Sequence, residues 1–250
     1  MRRTMVVTAV LVMAAAMAGA AELSETFDQT YSLAATGRVS LENINGDVTI
    51  EVWDRAEVRV YAIKRASSQE RLDKLRIDVD VSGDRLAVDT DYPSSRDLGF
   101  ADHHGHSEVE YTLTVPRSIT IDEVELVNGD LVVDGVLGGV EADTVNGSVV
   151  VRNAAGELEI ETVNGRIEAE LGPDAVDEVS MSSVNGAIDV FISGSAEIRA
   201  ETVNGSIRND LGIEVHKGKY VGSSMRGSVG GGGPIIDLDT VNGAITVSSR

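Results

Sequence analysis

Cysteine is absent from the 250-residue sequence. Its absence excludes a disulfide framework, a thiol nucleophile, an iron–sulfur cluster and a lipid-modified N-terminal cysteine. The stability of the protein outside the cell must therefore come from apolar burial and from backbone pairing.

Aromatic and basic residues are both scarce. Phe, Trp and Tyr make up 4% of the chain, which is few for the stacking platforms of sugar binders and single-strand binders. Asp and Glu number 41 against 21 Lys and Arg, so the formal net charge is -20. That charge argues against a nucleic-acid partner and against direct adsorption to anionic lipid.

The chain opens with an apolar run that is short for a membrane span, which needs about 20 residues. Residues 5–17 are apolar, follow the basic pair Arg2-Arg3 and precede Ala18-Gly19-Ala20. This pattern predicts a secretory signal peptide in residues 1–20, cleaved after Ala20. The alternative is an uncleaved N-terminal anchor. We expect an exported protein, periplasmic, envelope-bound or extracellular, with no integral membrane span in the mature chain.

Asn-Gly recurs through the second half of the chain, and a repeat of this kind decides the fold. The six asparagines are Asn128, Asn146, Asn164, Asn185, Asn204 and Asn242. Their spacing is 18 to 21 residues, apart from a doubled interval before Asn242, where Arg226-Gly227 is predicted to be the missing member. An earlier copy, Asn45-Gly46, stands alone in the first half. We therefore predict a repeat domain over residues 121–250.

Each Asn-Gly joins two short runs in which apolar and polar residues alternate. Val140, Ala142 and Thr144 are expected to share a buried face, with Glu141 and Asp143 opposite. The phase shifts by one residue across the Asn-Gly, so the chain turns a corner there. Asn and Gly suit such a corner because both tolerate the positive φ of a tight turn.

Two all-β architectures fit these units. A meander of antiparallel hairpins would use Asn-Gly as its turn. A single-stranded β-solenoid would stack each repeat as one coil, and the nearly verbatim Thr-Val-Asn-Gly favours it because stacking places identical residues in contact. The six asparagines would then form a structural ladder of side-chain hydrogen bonds that ends at Asn242. Seven coils at ~4.8 Å each would extend roughly 30 Å.

Residues 21–120 lack the regular repeat and are predicted to form an N-terminal β-rich capping region. Alternation predicts strands, and these fall at residues 39–52, 57–63, 75–81, 86–90 and 108–115. Ser67 or Ser68 is predicted to cap a short helix. Such a region would cover the exposed edge of the first coil, which would otherwise invite aggregation.

Leu113-Thr114-Val115-Pro116, Val127-Asn128-Gly129-Asp130 and the serial Thr-Val-Asn-Gly units resemble a bacterial family of β-strand repeat proteins. Members of that family are often labelled putative adhesins and carry a domain of unknown function. The resemblance covers nearly the whole chain after residue 20. It implies a right-handed β-helix-like fold, an envelope or surface location, and no established catalytic residues.

One cluster combines the residue types that bind transition metals, namely Asp102, His103, His104 and His106. Imidazole and carboxylate together suit zinc, copper or nickel. The spacing fits no metalloenzyme motif, however, and the segment lies in a polar stretch. A loop is favoured, and no metal site is predicted.

Stacked coils would also align acidic residues in outward columns. One column reads Glu141, Glu159, Ser180, Arg199 and Asp237, and its neighbour reads Asp143, Glu161, Ser182, Glu201 and Asp239. Like charges across strands repel, and calcium could relieve that repulsion. Because serine and arginine interrupt the columns, a solvated charged face is favoured over a calcium site.

No catalytic residue and no cofactor are predicted. We expect a non-enzymatic protein that presents a rigid repetitive β face to an envelope protein or a polysaccharide, for adhesion or scaffolding. The alternative is a carbohydrate-active β-helix enzyme, a lyase or hydrolase, which would gather carboxylates and basic residues in a cleft. The outward carboxylates are repeat positions with no convergent Lys or Arg, which favours the binding protein.

Overall fold

The computed structural model describes residues 23–94, 98, 105–172 and 178–250. Over these residues the regular secondary structure is β-strand apart from one short helix. The predicted signal peptide and residues 101–104 lie outside the described residues.

Strands β1 to β9 and helix α1 occupy the first half of the chain. Their bounds are β1 Leu23–Ser32, β2 Arg38–Asn45, β3 Val48–Trp53, β4 Glu57–Ala66, α1 Gln69–Lys74, β5 Arg76–Ser82, β6 Arg85–Asp91, β7 Ser107–Pro116, β8 Thr120–Asn128 and β9 Leu131–Asp134. Twelve further strands follow in the second half. Their bounds are β10 Val140–Asn146, β11 Val149–Ala154, β12 Leu158–Asn164, β13 Ile167–Leu171, β14 Glu178–Asn185, β15 Ile188–Ile192, β16 Ala196–Thr202, β17 Ile207–Asn209, β18 Val215–Lys217, β19 Ser223–Val229, β20 Ile235–Asn242 and β21 Ile245–Ser249.

The strands assemble into two long sheets, and each Asn-Gly corner carries the chain from one sheet to the other. One sheet has the order β1-β4-β7-β3-β9-β11-β13-β15-β21-β17. The other has the order β18-β19-β16-β20-β14-β12-β10-β8-β2-β6-β5. Every coil therefore contributes one strand to each sheet, and the apolar core lies between them.

Equivalent strands of the repeat pair in parallel and in register. Thr144 of β10 lies opposite Thr162 of β12, and Asn146 lies opposite Asn164. A meander of hairpins would pair neighbouring strands antiparallel, so the repeat is a stack of coils of the β-solenoid kind. The predicted inner face is confirmed, because Val140, Ala142 and Thr144 are buried whereas Glu141 and Asp143 are exposed.

The order of the coils differs from the order of the chain. The last coil, β20–β21, inserts between β14–β15 and β16–β17, and it pairs in parallel with both. The predicted end position of this coil is therefore wrong. Coils that share the same Thr-Val-Asn-Gly corner offer each other nearly the same contacts, so the repeat itself does not encode their order.

The predicted coil around Arg226 is also wrong. β19 runs antiparallel to β16, and Arg226 lies opposite Arg199 rather than in an Asn-Gly corner. The glycine run after β19 then carries the chain across to β20, with Gly231 and Gly232 at φ of 96° and 94°. Glycine suits these positions because other residues rarely adopt such angles.

The first half of the chain continues the stack. β2 and β3 form a coil of their own, with Asn45 in register with Asn128. Asn45-Gly46, which stands alone in the first half of the sequence, is therefore a corner of the same stack, and the strand predicted over residues 39–52 divides there. Beyond this coil, β6 pairs in parallel with β2 and β7 pairs in parallel with β3. The antiparallel strands β5, β4 and β1 complete the two sheets.

Two local features complete the first half. Ser68 caps α1 as predicted, because its hydroxyl accepts a hydrogen bond of 3.2 Å from the backbone N–H of Arg71. β1 was missed at the level of sequence, although its exposure alternates residue by residue along its whole length. It lies at the edge of its sheet and pairs along its full length with β4.

Candidate functional site: the Asn-Gly corner and its groove

The asparagine side chains of the corners form a continuous row of hydrogen bonds. In each bond, an amide Nδ2 donates to the Oδ1 of the neighbouring coil at 2.8–3.0 Å. The row follows the spatial order of the coils and contains Asn45, Asn128, Asn146, Asn164, Asn185, Asn242 and Asn204. Asn242 therefore has a neighbour on each side, and Asn204 takes the end position that the sequence assigned to Asn242.

Contact with the backbone of the adjacent coil explains the glycine of each corner. A Cβ built on Gly165 would lie 1.8 Å from the carbonyl oxygen of Gly147, and one on Gly186 would lie 1.7 Å from that of Gly165. Gly46 has a φ of 117°, but Gly147, Gly165 and Gly186 lie outside the left-handed range. The positive-φ reason given by the sequence is therefore wrong for these three glycines, and close approach of the coils replaces it.

A buried hydroxyl supports each glycine carbonyl in the regular part of the stack. These residues are the threonine column, which contains Thr144, Thr162, Ser183, Thr240 and Thr202. The Oγ1 of Thr162 donates to the Gly147 carbonyl at 3.3 Å, and Thr202 makes the equivalent bond at 3.0 Å. Thr144 is the exception, because its buried Oγ1 has no hydrogen-bond partner among the described residues.

A row of exposed aliphatic side chains lies next to the asparagines. This valine stripe contains Ile44, Val127, Val145, Val163, Val184, Val241 and Val203. Each member is 40–49% exposed, and each occupies the position just before the corner asparagine. One aliphatic side chain per coil therefore faces solvent along the whole stack.

An acidic wall runs parallel to the valine stripe, on the other side of the threonine column. It contains Glu42, Glu125, Asp143, Glu161, Ser182, Asp239 and Glu201. Hydrogen bonding to Glu123 raises the pKa of Glu125, with further contributions from burial and from nearby carboxylates. Partial burial, followed by charge repulsion, raises the pKa of Asp143 beside Glu123 and of Asp239 beside Glu201. The wall is therefore a surface on which added positive charge is favourable.

The valine stripe and the acidic wall enclose what we call the corner groove, with the threonine column as its floor. Its middle part is a cleft of about 410 Å³ that Asp143, Glu161, Val145 and Val163 line together. Its C-terminal part is a cleft of about 590 Å³, which Val221 of the turn between β18 and β19 helps to line. The groove can therefore offer apolar contact on one side and negative charge on the other.

Only one of the metal-ligating candidates, His106, lies in the described part of the chain. Asp102, His103 and His104 lie outside the described residues, and the Nε2 of His106 lies 3.1 Å from a carboxylate oxygen of Glu108. Among the described residues, no three His, Asp or Glu side chains are placed to hold a metal ion.

The sequence reasoning missed the valine stripe, although a signal for it was present. Val145 follows the inward Thr144, so strict alternation places its side chain outward. The same valine returns verbatim in most Thr-Val-Asn-Gly units. An aliphatic residue repeated at an outward position is the pattern of an exposed stripe.

No described helix has the length and apolar character that crossing a membrane requires.

A comparison with curated proteins found no match. Solved structures do match, and one is a putative cell adhesion protein from Clostridium sporogenes with a TM-score of 0.52 and 14% identity. The match covers 92% of this chain and 100% of that one. At this identity the likeness shows the fold alone.

A putative adhesin from Bacteroides fragilis matches with a TM-score of 0.41 and 14% identity, covering 90% of this chain and 97% of that one. The sequence profile of the Toastrack DUF4097 family matches residues 32–248. That range begins at the end of β1 and includes every coil of the stack. The chain therefore belongs to the Toastrack DUF4097 family, which confirms the resemblance recognised in its sequence.

Proposed function

We propose that this chain is an exported, non-enzymatic protein of the cell envelope or surface, which presents a rigid repetitive β face for binding. The partner is an envelope protein or a polysaccharide, and the role is adhesion or scaffolding. The in-register stack carries this proposal, because it repeats the same outward residues from coil to coil along both walls of the corner groove. A ligand with a repeating structure would meet the same chemistry at each step.

Rigidity of the face supports the binding role. Each corner is held by the asparagine row outside, and in the regular part of the stack by a threonine-to-glycine hydrogen bond inside. Side chains placed on such strands lose little freedom when a partner binds, which favours affinity. The matching structure from Clostridium sporogenes is named a putative cell adhesion protein, which supports adhesion among the roles.

We also propose that the coil is right-handed and that residues 21–120 form an N-terminal β-rich cap ahead of a repeat domain in residues 121–250, with β2–β3 as the coil through which the cap joins the stack. The antiparallel strands β5 and β1 at the sheet edges support the cap. β5 carries Asp78 and Asp80 along its edge, and edge charges oppose pairing with another chain.

Export is supported by the order of basic, apolar and small residues in residues 1–20. Mass spectrometry of protein from a periplasmic or secreted fraction is expected to find a mature N-terminus at Ala21. Intact Met1 in the membrane fraction would contradict this part of the proposal.

A pull-down from envelope extract with the immobilised mature chain tests the binding role. We expect saturable retention of an envelope protein or polysaccharide, and we expect added soluble mature chain to compete for it.

Incubation with cell-wall polysaccharides and exopolysaccharides tests the carbohydrate-active alternative. A lyase or hydrolase would shorten its substrate, whereas a binding protein would leave it intact.

A further inference from the structure

We propose that the corner groove binds an extended polypeptide segment in which lysine or arginine side chains alternate with aliphatic ones. This inference rests on the proposed function, because it names the face and the ligand chemistry of the same binding protein.

The apolar wall is continuous, which distinguishes it from the scattered apolar residues of an ordinary surface. Seven aliphatic side chains, each 40–49% exposed, follow one another coil by coil. At ~4.8 Å per coil the row extends roughly 30 Å. A contiguous exposed apolar row marks an interaction site more often than isolated residues do.

The opposite wall is negative and lacks internal counter-ions. Glu125, Asp143, Glu161, Glu201 and Asp239 form no ion pair with any Lys or Arg in the described ranges, whereas Arg152 and Arg166 pair with acids outside the groove. Neighbouring carboxylates on adjacent coils repel one another. A cationic ligand would relieve that repulsion, so the charge of the wall selects a basic partner.

A segment of the chain itself lies at one end of the groove. Val221, in the turn between β18 and β19, lines the C-terminal cleft together with Val184, Val203 and Val241, and it is 68% exposed. The same segment carries Lys217 at the end of β18 and Lys219 in the turn. Polypeptide therefore already lies beside the apolar wall at this end, whereas the middle cleft has no residue of this turn among its lining residues.

Extended polypeptide fits the two-walled shape. Side chains of a strand alternate between opposite sides at about 3.3 Å per residue, so basic residues can face the acidic wall while aliphatic residues face the valine stripe. Eight residues span roughly 26 Å, close to the length of the stripe. A second copy of this chain is a poorer occupant, because it would bring its own acidic wall and a formal charge of -20.

The probe is a fluorescein-labelled peptide with the sequence (Lys-Val)4 and blocked ends, titrated with the purified mature chain while fluorescence anisotropy is recorded. We expect saturable binding with one peptide per chain. The peptides (Glu-Val)4 and (Lys-Ser)4 each remove one half of the proposed recognition, so both are expected to bind at least about tenfold more weakly. Equal binding of (Lys-Val)4 and (Lys-Ser)4 would overturn the role of the valine stripe.

Two pairs of substitutions with the same change in charge test the site. Asp143→Asn with Glu161→Gln neutralises the acidic wall and is expected to weaken (Lys-Val)4 binding at least about tenfold. Glu141→Gln with Glu159→Gln neutralises the neighbouring column outside the groove and is expected to change binding less than about twofold. Equal losses in the two pairs would mean general charge attraction and would overturn the proposal.

Val145→Ser with Val163→Ser tests the apolar wall at exposed positions, and thermal melts of all variants verify that the fold is retained. We expect this pair also to weaken (Lys-Val)4 binding at least about tenfold. Self-association of the unmodified chain that this pair abolishes would assign the groove to a second copy and overturn the peptide proposal. Absence of (Lys-Val)4 binding, with retention of an envelope partner in the pull-down, would overturn the groove assignment and leave the proposed function standing.

Discussion

The glycines that follow the corner asparagines form a glycine column beside the asparagine row, yet the two face opposite environments. Glycine meets the backbone of the next coil, and a Cβ at Gly165 would approach the Gly147 oxygen to 1.8 Å. The asparagines lie at the exposed side and bond to one another through their side chains. The two residues of the motif therefore differ in kind, because the glycine allows the coils to approach and the asparagine adds a solvent-accessible bond.

The largest expected effect is that of a methyl group in the glycine column. Gly165→Ala must separate two coils, and we expect a loss of about 3 kcal/mol in the free energy of unfolding. Gly212→Ala is the control, because Gly212 has a φ of 76° and no atom within 4 Å of an added Cβ. Only backbone strain acts there, so about 1 kcal/mol is expected. Urea denaturation of both variants makes the comparison, and equal losses would contradict close approach as the reason for the glycine.

The threonine column provides an intermediate effect with opposite outcomes at two positions. Thr162→Val removes the hydrogen bond to the Gly147 carbonyl, and we expect it to cost about 1–2 kcal/mol in unfolding free energy. Thr144→Val removes a buried hydroxyl that has no hydrogen-bond partner among the described residues, so it is expected to be neutral or stabilising by up to about 1 kcal/mol. Thermal unfolding of the two matched variants checks this, and a similar loss in both would show that Thr144 has a hydrogen-bond partner in solution.

The asparagine row gives a smaller effect because its bonds are accessible to water. Asn164→Ala removes the bond it donates to Asn146 and the bond it accepts from Asn185, which we expect to cost about 1 kcal/mol. Asn242 lies equally inside the row, so its replacement should cost the same. Asn204→Ala at the end should cost about half as much. A smaller loss at Asn242 than at Asn204 would contradict the spatial order of the coils.

The smallest effect concerns pH and compares Asp143 with Asp28. Burial raises the folded pKa of Asp143, so its contribution to stability falls as pH rises through the carboxyl range, and Asp143→Asn should stabilise the protein at pH 7. The bond from Arg59 lowers the pKa of Asp28, so its contribution is present above the unfolded pKa and disappears as pH falls through the folded pKa. Asp28→Asn should destabilise at pH 7.

Both pH effects should be a few tenths of a kcal/mol, because solvent screens these groups. Melting temperatures recorded at pH 7 and near pH 3 for the two variants and the unmodified chain provide the test. A shift of the same sign in both variants at pH 7 would contradict the opposite electrostatic environments of the two carboxyls.

Periodicity in the sequence was sufficient to predict the stacking of the repeat. The alternation around Ala142 predicted its buried face, and the identity of the Thr-Val-Asn-Gly units predicted parallel register. The order of the coils was not predictable, since β20 carries the same corner residues as β16 and competes for the same neighbours. The coil β2–β3 was not predictable either, because a single Asn-Gly without an adjacent copy carries no periodicity.

The candidate site was less predictable than the fold. The acidic wall was visible as a column in the sequence, but the groove also needs Val145 and Val163 on the opposite side of Thr144. The Asn-Gly corner that positions these valines is shaped by the contact between glycines of adjacent coils. Residue types alone do not report such a contact, which is why the sequence suggested positive φ instead.

The stacked order of coils is most directly tested with cysteine pairs, which is practicable because the chain has no cysteine of its own. Val184, Val241 and Val203 are exposed, and Val241 lies between the other two in the stripe. We predict that Val184→Cys with Val241→Cys is joined by a short thiol-to-thiol crosslinker, as mass spectrometry of digested protein would show. Val184→Cys with Val203→Cys should remain unjoined, because a whole coil separates the two positions. Crosslinking of the second pair and not the first would contradict the inserted coil, and crosslinking of neither would contradict the stack.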